Sequence, residues 1–366
     1  MIRSALTAAL LRCWYARCSG WFRPVYLLFL LPLSLLFAGM VWLRRWLYRY
    51  GAFKVQRMPV PVIVVGNLNV GGAGKTPLTL ALVQALRHVG WHPAIVSRGY
   101  GGQARSTMPV TAESSPDWVG DEPVLLARRA QCPLWIGRQR AEAARDLLAF
   151  HPEVDVLIAD DGLQHLALAR DIELVVVDAV RGFGNGRLLP AGPLREPLSR
   201  LTQVDAVVVN GSVRPNSAMA ALASVVPLFA PLYSMQISGT YFVNLAQPDW
   251  RVGADYFATG PVQAIAGIGH PQRFFDQLAH MGIQAETRAF ADHHAYVESD
   301  LPEGPVLMTE KDAVKCVKLW DSFESCSMRR DLWFLAVDAV LDAGLVDLIL
   351  NVLQQRKRVS DGSQIT

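Results

Sequence analysis

Short apolar runs alternate along most of the chain with longer stretches that carry apolar residues at helical spacing. Runs of β-branched residues such as Val62–Val65 are typical of strands that are buried on both faces of a parallel sheet. The intervening stretches are long enough for the helices that connect parallel strands, and Gly90 marks the end of the first one. This alternation predicts an α/β fold built on a parallel sheet.

The predicted strands, in chain order, are Val62–Val65, Ala94–Val96, Cys132–Ile136, Val154–Ala159, Glu173–Asp178, Asp205–Val209, Ala264–Ile268, Gln284–Phe290, Val306–Met308 and Leu332–Val337. The predicted helices are Thr76–Val89, Val124–Ala130, Arg138–Phe150, Gln272–His280, Asp312–Leu319 and Leu341–Leu353.

The 366 residues are enough for two units that each bury a core. The pattern weakens between residues 211 and 261, where we predict short bridging strands, and it then restarts near Val262. We therefore predict an N-terminal segment at 1–50, a core unit at 51–210, a bridge at 211–261 and a smaller α/β unit at 262–366.

The N-terminal segment contains a long apolar run. Val25–Leu43 has no charged residue, and a helix of this length spans roughly 28 Å, close to the hydrocarbon thickness of a bilayer. Arginines stand on both sides of the run, so they do not decide its orientation. Pro32 lies within the run and predicts a kink. We predict a membrane-associated helix that either spans once or lies partly inserted.

Composition excludes some classes of protein. The net charge of +3 is small and no lysine-rich run appears, so a nucleic-acid partner is not predicted. The five cysteines form no CxxC pair, which suits a reducing compartment and gives no zinc-finger spacing.

A glycine-rich loop follows the first strand and precedes the first helix. It reads GNLNVGGAGKTP and matches the P-loop pattern, except that Asn69 stands where the pattern has glycine. Asparagine adopts left-handed backbone conformations more readily than most residues, which would make this exchange tolerable. In such a loop, backbone N–H groups bind phosphates, Lys75 reaches the β- and γ-phosphates, and the Thr76 hydroxyl binds Mg²⁺.

Acidic residues lie near two other predicted elements. Asp160 and Asp161 follow a buried strand, where a carboxylate beside a P-loop would hold Mg²⁺, and an extended backbone would point the two side chains to opposite faces. Asp121 precedes an apolar helix. It could cap that helix or accept a proton from a substrate hydroxyl.

Further candidates lie in loops. Arg98 follows a strand in the stretch SRGYGG and could bind a phosphate or be a solvated charge. The segment Gly182–Pro197 is rich in glycine and proline and offers Arg195 for phosphate and Glu196 for a metal or a helix cap. A cluster at 291–296, Ala-Asp-His-His-Ala-Tyr, could supply a histidine that hydrogen-bonds Asp121, or could be a surface pair.

Together these segments resemble the tetraacyldisaccharide 4′-kinase family, the lipid A 4′-kinases of Gram-negative bacteria. The stretches that carry the resemblance are GNLNVGGAGKTP, SRGYGG, VGDEPVLLA, DDGLQH, LLPAGPLREP, FADHH and TEKDAVK. The resemblance implies transfer of the γ-phosphate of ATP to the 4′ hydroxyl of a tetraacylated glucosamine disaccharide 1-phosphate. It places this reaction on the cytoplasmic face of the inner membrane, beside membrane lipid.

The resemblance also implies roles for particular residues. Asp121 corresponds to a catalytic base paired with a histidine, for which His293 is preferred and His294 stays open, and Lys75 acts on the transferring phosphate. The phosphate-binding residues implied are Asn69, Val70, Gly71, Gly72, Ala73, Gly74, Lys75 and Thr76. The implied magnesium ligands are Thr76, Asp160, Asp161 and Glu196, and Arg98 and Arg195 are candidates for the substrate.

Two other functions remain open from the sequence. One is a membrane-tethered P-loop GTPase or assembly factor, although Thr309-Glu310-Lys311-Asp312 is not the guanine-specific Asn-Lys-x-Asp motif and most simply caps the following helix. The other is a soluble small-molecule kinase with an incidental anchor.

Overall fold

The computed structural model describes residues 2–16, 22–211, 230–258, 260–322 and 331–362. The helices of ten or more residues in these ranges are α1 (Ile2–Tyr15), α2 (Phe22–Arg49, with a π-helical turn at Tyr26–Leu30), α3 (Lys75–His88), α4 (Asp121–Ala130), α5 (Arg140–Phe150), α6 (Pro271–His280), α7 (Glu310–Ser322) and α8 (Ala343–Gly362). The strands are β1 (Val62–Gly66), β2 (Pro93–Ser97), β3 (Met108–Pro109), β4 (Leu134–Ile136), β5 (Val156–Asp160), β6 (Ile172–Asp178), β7 (Ala206–Asn210), β8 (Leu232–Asn244), β9 (Arg251–Val252), β10 (Val262–Ala266), β11 (Ala285–Ala289), β12 (Val306–Thr309) and β13 (Leu332–Leu341).

The predicted strands and helices are all present, and the α/β prediction is confirmed. In the described part of the chain, thirteen strands form one sheet in the order β11-β10-β12-β13-β8-β7-β6-β1-β5-β2-β4-β3, and β9 pairs with β8. The neighbours from β4 through β8 in this order are all parallel. Their carboxyl ends therefore meet at one edge of the sheet, which is where ligands bind in open α/β folds.

Helices cover both faces of this sheet. Leu82 of α3, Leu126 of α4 and Ile349 of α8 belong to one buried cluster, whereas Leu147 of α5 belongs to the cluster on the other face. The central strands are buried along their whole length, which explains why they read as continuous apolar runs.

We predicted short strands between residues 211 and 261, and strand β8 differs from that prediction. Residues 212–229 and 259 of this stretch lie outside the described residues. Strand β8 is 13 residues long because it pairs with two neighbouring strands. Its first residues, Leu232–Met235, pair in parallel with β7, and Met235–Asn244 pair antiparallel with β13. The sheet is thus continuous across the predicted boundary, and the division into two units stays a prediction.

Helix α2 contains the predicted apolar run. Its 28 residues give a length of about 42 Å at 1.5 Å per residue. The π-helical turn ends at Leu30, two residues before Pro32. A wider turn there accommodates the missing N–H of the proline and the crowding of the carbonyl four residues earlier. Only 11% of the most apolar 18 residues of α2 are buried, so α2 is not a core helix. It is long and apolar enough to cross a bilayer.

Candidate active site

The glycine-rich loop leaves β1 at Gly66 and enters α3 at Lys75. Gly71 and Gly74 have φ values of +103° and +99°, a region that L side chains rarely adopt. A Cβ on Gly74 would also lie 2.4 Å from Asn210 Nδ2, which donates a hydrogen bond to the Ala73 carbonyl at 3.0 Å. The loop therefore needs glycine at position 74 for both its conformation and its packing.

Asn69 does not adopt the left-handed conformation that we expected. Among the described residues, the only ones other than glycine with positive φ are Gln131, Asp161 and His293. Asn69 instead donates a side-chain hydrogen bond to the Gly182 carbonyl at 2.8 Å. The Asn69 side chain thus links the glycine-rich loop to the neighbouring loop, which a glycine could not do.

Lys75 lies beside the acidic end of β5. Its Nζ atom is 3.4 Å from Asp161 Oδ1 and 3.3 Å from Asn67 Oδ1. This proximity follows from the sheet, because β1 and β5 are parallel neighbours in which Val65 is opposite Asp160. Thr79, one turn into α3, donates to Asp160 Oδ1 at 3.3 Å.

The two aspartates have different surroundings. Burial raises the pKa of Asp160 to about 7, and the charges of Glu122 and Asp161 act in the same direction. Burial also raises the pKa of Asp161, but the charges of Lys75 and Arg195 outweigh it and the net shift is downward. Asp161 has a φ of +47° and is not extended, so the expectation of opposite faces was wrong, and both side chains line one cavity.

Glu196 and Arg195 extend this site from the loop 182–197. Arg195 Nη1 lies 3.2 Å from Asp161 Oδ2. Glu196 Oε2 lies 2.5 Å from Arg45 Nη1 and 3.4 Å from Arg200 Nε, and its buried Oε1 has no hydrogen-bond partner among the described residues. No three His, Cys, Asp or Glu side chains of the described ranges form a metal-ligating group. The ligand set Thr76, Asp160, Asp161 and Glu196 therefore stays a prediction.

His293 lies next to Asp121, although 172 residues separate them along the chain. His293 Nδ1 is 3.0 Å from Asp121 Oδ2 and 3.1 Å from Oδ1. His294 turns away and lies 2.8 Å from Asp300 Oδ2. The contact therefore involves His293 and not His294. Asp121 is the first residue of α4, after the cap Gly120, and its Oδ1 also accepts a hydrogen bond from the Glu122 N–H at 2.9 Å.

The Asp121–His293 pair is electrostatically coupled. Burial raises the pKa of Asp121, but the His293 hydrogen bond and the charge of Lys311 outweigh it and the pKa is lowered. The hydrogen bond to Asp121 raises the pKa of His293 against the effects of burial and Lys311. Such a pair can accept a proton from a neighbouring hydroxyl.

A cavity of about 430 Å³ connects the acidic site with helix α2. Apolar side chains of α2 form one wall, and charged groups form the other. The lining residues are Phe37, Met40, Val41, Arg44, Arg45, Ser97, Arg98, Tyr100, Glu122, Asp160, Asp161, Gln164, Leu166, Arg195 and Glu196. Both predicted substrate arginines, Arg98 and Arg195, are among them.

Residues 26–354 match the sequence model of the family described as tetraacyldisaccharide-1-P 4′-kinase, LpxK. The chain belongs to this family. The tetraacyldisaccharide 4′-kinase of Methylobacillus flagellatus is 47% identical over 342 residues, which cover 93% of this chain and 94% of that protein. The one from Dechloromonas aromatica is 49% identical over 332 residues and covers 90% and 93%. The crystal structure of LpxK from Aquifex aeolicus in complex with ATP aligns with a TM-score of 0.70 at 28% identity, over 88% of this chain and 98% of that one.

These comparisons confirm the tetraacyldisaccharide-1-P 4′-kinase resemblance and the fold class. Sequence reasoning did not assign a role in the site to three residues that the structure brings there. Arg140 donates to the Asp161 carbonyl at 2.7 Å, Lys311 lies 3.0 Å from Glu122 Oε1, and Tyr100 packs on His293 with ring centroids 5.3 Å apart. Lys311 and Tyr100 lie inside stretches that carry the resemblance, which was the signal available for them.

Proposed function

We propose that this protein transfers the γ-phosphate of ATP to the 4′ hydroxyl of a tetraacylated glucosamine disaccharide 1-phosphate, giving the 4′-phosphorylated lipid A precursor. Membership of the tetraacyldisaccharide-1-P 4′-kinase family supports this reaction, and so does the ATP complex of the related Aquifex protein. The observation that carries the proposal in this chain is the cavity that joins Asp160 and Asp161 to the apolar helix α2.

The glycine-rich loop would hold the triphosphate. The positive φ values of Gly71 and Gly74 allow successive backbone N–H groups to face one anion, and the positive end of the α3 dipole adds to their attraction. Lys75 would bind the transferring phosphate from its position beside Asp161. The chain thereby supplies the positioning and charge neutralisation on which phosphoryl transfer depends.

The acidic residues fit a magnesium ion. Asp160 is buried, and burial, aided by the negative charges of Glu122 and Asp161, raises its pKa to about 7, so a cation bound beside it would stabilise its ionised form. Thr76 and Asp160 would hold the ion, with Asp161 and Glu196 as the further ligands of the same set. A bound Mg²⁺ would neutralise charge on the phosphate oxygens.

Asp121 would act as the general base. The acceptor oxygen forms a bond to the γ-phosphorus, the bond from that phosphorus to the β–γ bridging oxygen breaks, and ADP leaves. The hydroxyl proton passes to the Asp121 carboxylate, which His293 orients from 3.0 Å. Arg98 and Arg195, which line the cavity beside Asp160 and Asp161, would hold the phosphorylated acceptor.

Helix α2 would keep the enzyme beside its acceptor. Its exposed side chains include Leu28 (70%), Leu35 (73%) and Trp42 (65%), which suit the acyl region of a bilayer better than water. We place the protein at the inner membrane with the catalytic site on the cytoplasmic face, where ATP is available. The acyl chains of the acceptor can then remain in the membrane while its sugar enters the cavity.

The test uses the full-length protein in mixed micelles with radiolabelled ATP and the acceptor lipid. We expect label in the lipid only when the disaccharide 1-phosphate is present. Asp121→Asn is the matched control, which should bind ATP and transfer little phosphate. Release of inorganic phosphate without any labelled lipid, with GTP preferred to ATP, would instead indicate the tethered GTPase.

A further inference from the structure

Lys311 lies in the first turn of α7 and faces the first turn of α4. Its Nζ atom is 3.0 Å from Glu122 Oε1, 3.5 Å from Asp292 Oδ1 and 3.9 Å from Asp121 Oδ2. The Lys311 side chain is 16% exposed. One ammonium group thus meets three carboxylates, and one of these belongs to the proposed base.

We propose that Lys311 is a positioning residue that keeps the Asp121–His293 pair free of the proton that the pair must accept from the sugar hydroxyl. This inference rests on the proposed function, in which Asp121 is the general base. It assigns a role to the stretch Thr309-Glu310-Lys311-Asp312 beyond the capping of α7.

Neighbouring residues already hold the start of α7 in place. Arg129 Nη1 lies 2.8 Å from both carboxylate oxygens of Glu310, which links α4 to α7 without Lys311. Asp312 accepts hydrogen bonds from the Thr309 hydroxyl at 2.6 Å and from the Gly267 N–H at 3.0 Å. Because these contacts fix α7, Lys311 is not needed for docking alone.

The charges that face the pair come from several elements. Glu122 lies on α4, Asp292 adjoins His293 in the loop after β11, Lys311 and Lys315 lie on α7, and the Tyr100 ring packs on His293. Lys311 lowers the pKa of both members of the pair. On Asp121 its effect is smaller than those of burial and of the His293 hydrogen bond, and on His293 it is smaller than those of the Asp121 hydrogen bond and of burial. The two effects have the same sense, since each disfavours a proton on the pair.

Lys311 itself stays charged in this position. Burial lowers the pKa of Lys311, but the carboxylates of Glu122, Asp121 and Asp292 outweigh burial, and the net shift is upward. Its charge is therefore present over the pH range in which the pair titrates.

The main experiment is the pH dependence of kcat/KM for the acceptor lipid with Lys311→Met, which removes the charge and keeps most of the length of the side chain. An opposite charge within about 4–6 Å lowers a carboxyl pKa by about 1–3 units. Removal of the Lys311 charge should therefore move the acid limb of the kcat/KM profile to higher pH by about one unit. At pH values above the shifted limb, activity should return to near that of the native protein. Lys311→Arg keeps the charge and should keep the native limb.

A second variant should shift the acid limb of the pH profile in the opposite direction. Asp292→Asn removes a carboxylate that contacts Lys311, keeps an oxygen to accept the His293 N–H, and removes a negative charge that favours protonated His293. Its acid limb should move to lower pH. A Lys311 that only docks α7 would give a uniform loss of activity and no shift of the acid limb in Lys311→Met, as we expect for Glu310→Gln, which removes the ion pair with Arg129.

A readout that does not depend on activity separates this inference from the proposed function. The carbon-13 resonance of the His293 ring, assigned by its loss in His293→Gln, should titrate at higher pH in Lys311→Met than in the native protein. Equal midpoints in the two proteins, or limbs that do not move, would overturn the role of Lys311. A native protein that phosphorylates no lipid while the His293 midpoint shifts would overturn only the proposed function.

Discussion

The ion pair between Arg45 and Glu196 joins helix α2 to the loop beside the acidic site. Arg45 Nη1 lies 2.5 Å from Glu196 Oε2, and Arg45 Nη2 also donates to Gln203. The Arg45 side chain is 24% exposed and that of Glu196 is 6% exposed. Arg45→Met therefore leaves a nearly buried carboxylate whose remaining partner is Arg200, which also pairs with Glu173.

The cost of this substitution can be worked from the geometry. Removing one partner of a fully buried ion pair costs about 3–5 kcal/mol, whereas exposed pairs contribute about 0–1 kcal/mol. Arg45 is partly exposed and Arg200 remains, so we expect about 2 kcal/mol. With an unfolding entropy of about 2.1 cal/mol/K per residue, this lowers the melting temperature of a chain of this size by roughly 3 °C.

The assay is thermal unfolding in micelles of Arg45→Met, Glu196→Gln and the double variant. Because the cost comes from a nearly buried carboxylate that has lost one of its two cations, Glu196→Gln should partly restore the stability that Arg45→Met removes. A double variant that loses the sum of the single effects would refute this reasoning. The same Glu196→Gln protein tests the metal assignment, since loss of a magnesium ligand raises the Mg²⁺ concentration required for activity and loss of an ion pair does not.

The remaining predictions concern the phosphate loop and the base. Lys75→Met should lower kcat/KM for ATP about 100-fold, and normal turnover would remove Lys75 from the site. Asp121→Asn should lower kcat by roughly 10²–10⁴ with little change in the KM for ATP, whereas lost nucleotide binding at normal kcat would assign it to capping. Gly74→Ala should destabilise by about 2 kcal/mol because of its positive φ, with Gly72→Ala, where a Cβ meets nothing within 4 Å, as the control in thermal unfolding. The pKa of His293 is raised from 6.5 and that of Asp121 is lowered from 3.8, so their contact contributes most to stability between pH 3.8 and pH 6.5. The destabilisation caused by His293→Gln should therefore shrink as the pH rises through the His293 pKa. A difference in stability that does not change with pH would contradict the pairing.

Features encoded by adjacent residues could be predicted from the sequence. The strand, loop and helix around Lys75 follow from β-branched residues, glycines and helical spacing within one stretch. Asp160 could be expected beside this loop because parallel strands bring their carboxyl ends to one edge of the sheet. Both inferences need only local pattern and the general geometry of α/β folds.

Features that depend on contacts between distant residues could not be predicted in the same way. His293 and His294 have the same chemistry and neighbouring positions, and only the folded chain shows that His293 meets Asp121 while His294 meets Asp300. The pairing of Arg45 with Glu196 joins residues 151 positions apart. Sequence identified Glu196 as an acid for metal or capping, but no pattern near it indicates that a residue of the apolar helix neutralises it.

The contacts of the loop 182–197 bear on the open question of whether the apolar helix is incidental. On one side, Trp14 and Ser34 of the N-terminal helices donate to the carbonyls of Pro190 at 3.0 Å and Leu188 at 2.8 Å. On the other side, the Pro193 carbonyl accepts the Val70 N–H of the phosphate loop at 2.8 Å. One short loop thus contacts both the N-terminal helices and the glycine-rich loop. Side chains of α2 also line the cavity that holds Asp160 and Asp161. These contacts favour a helix that forms part of the candidate site over one that is incidental to it.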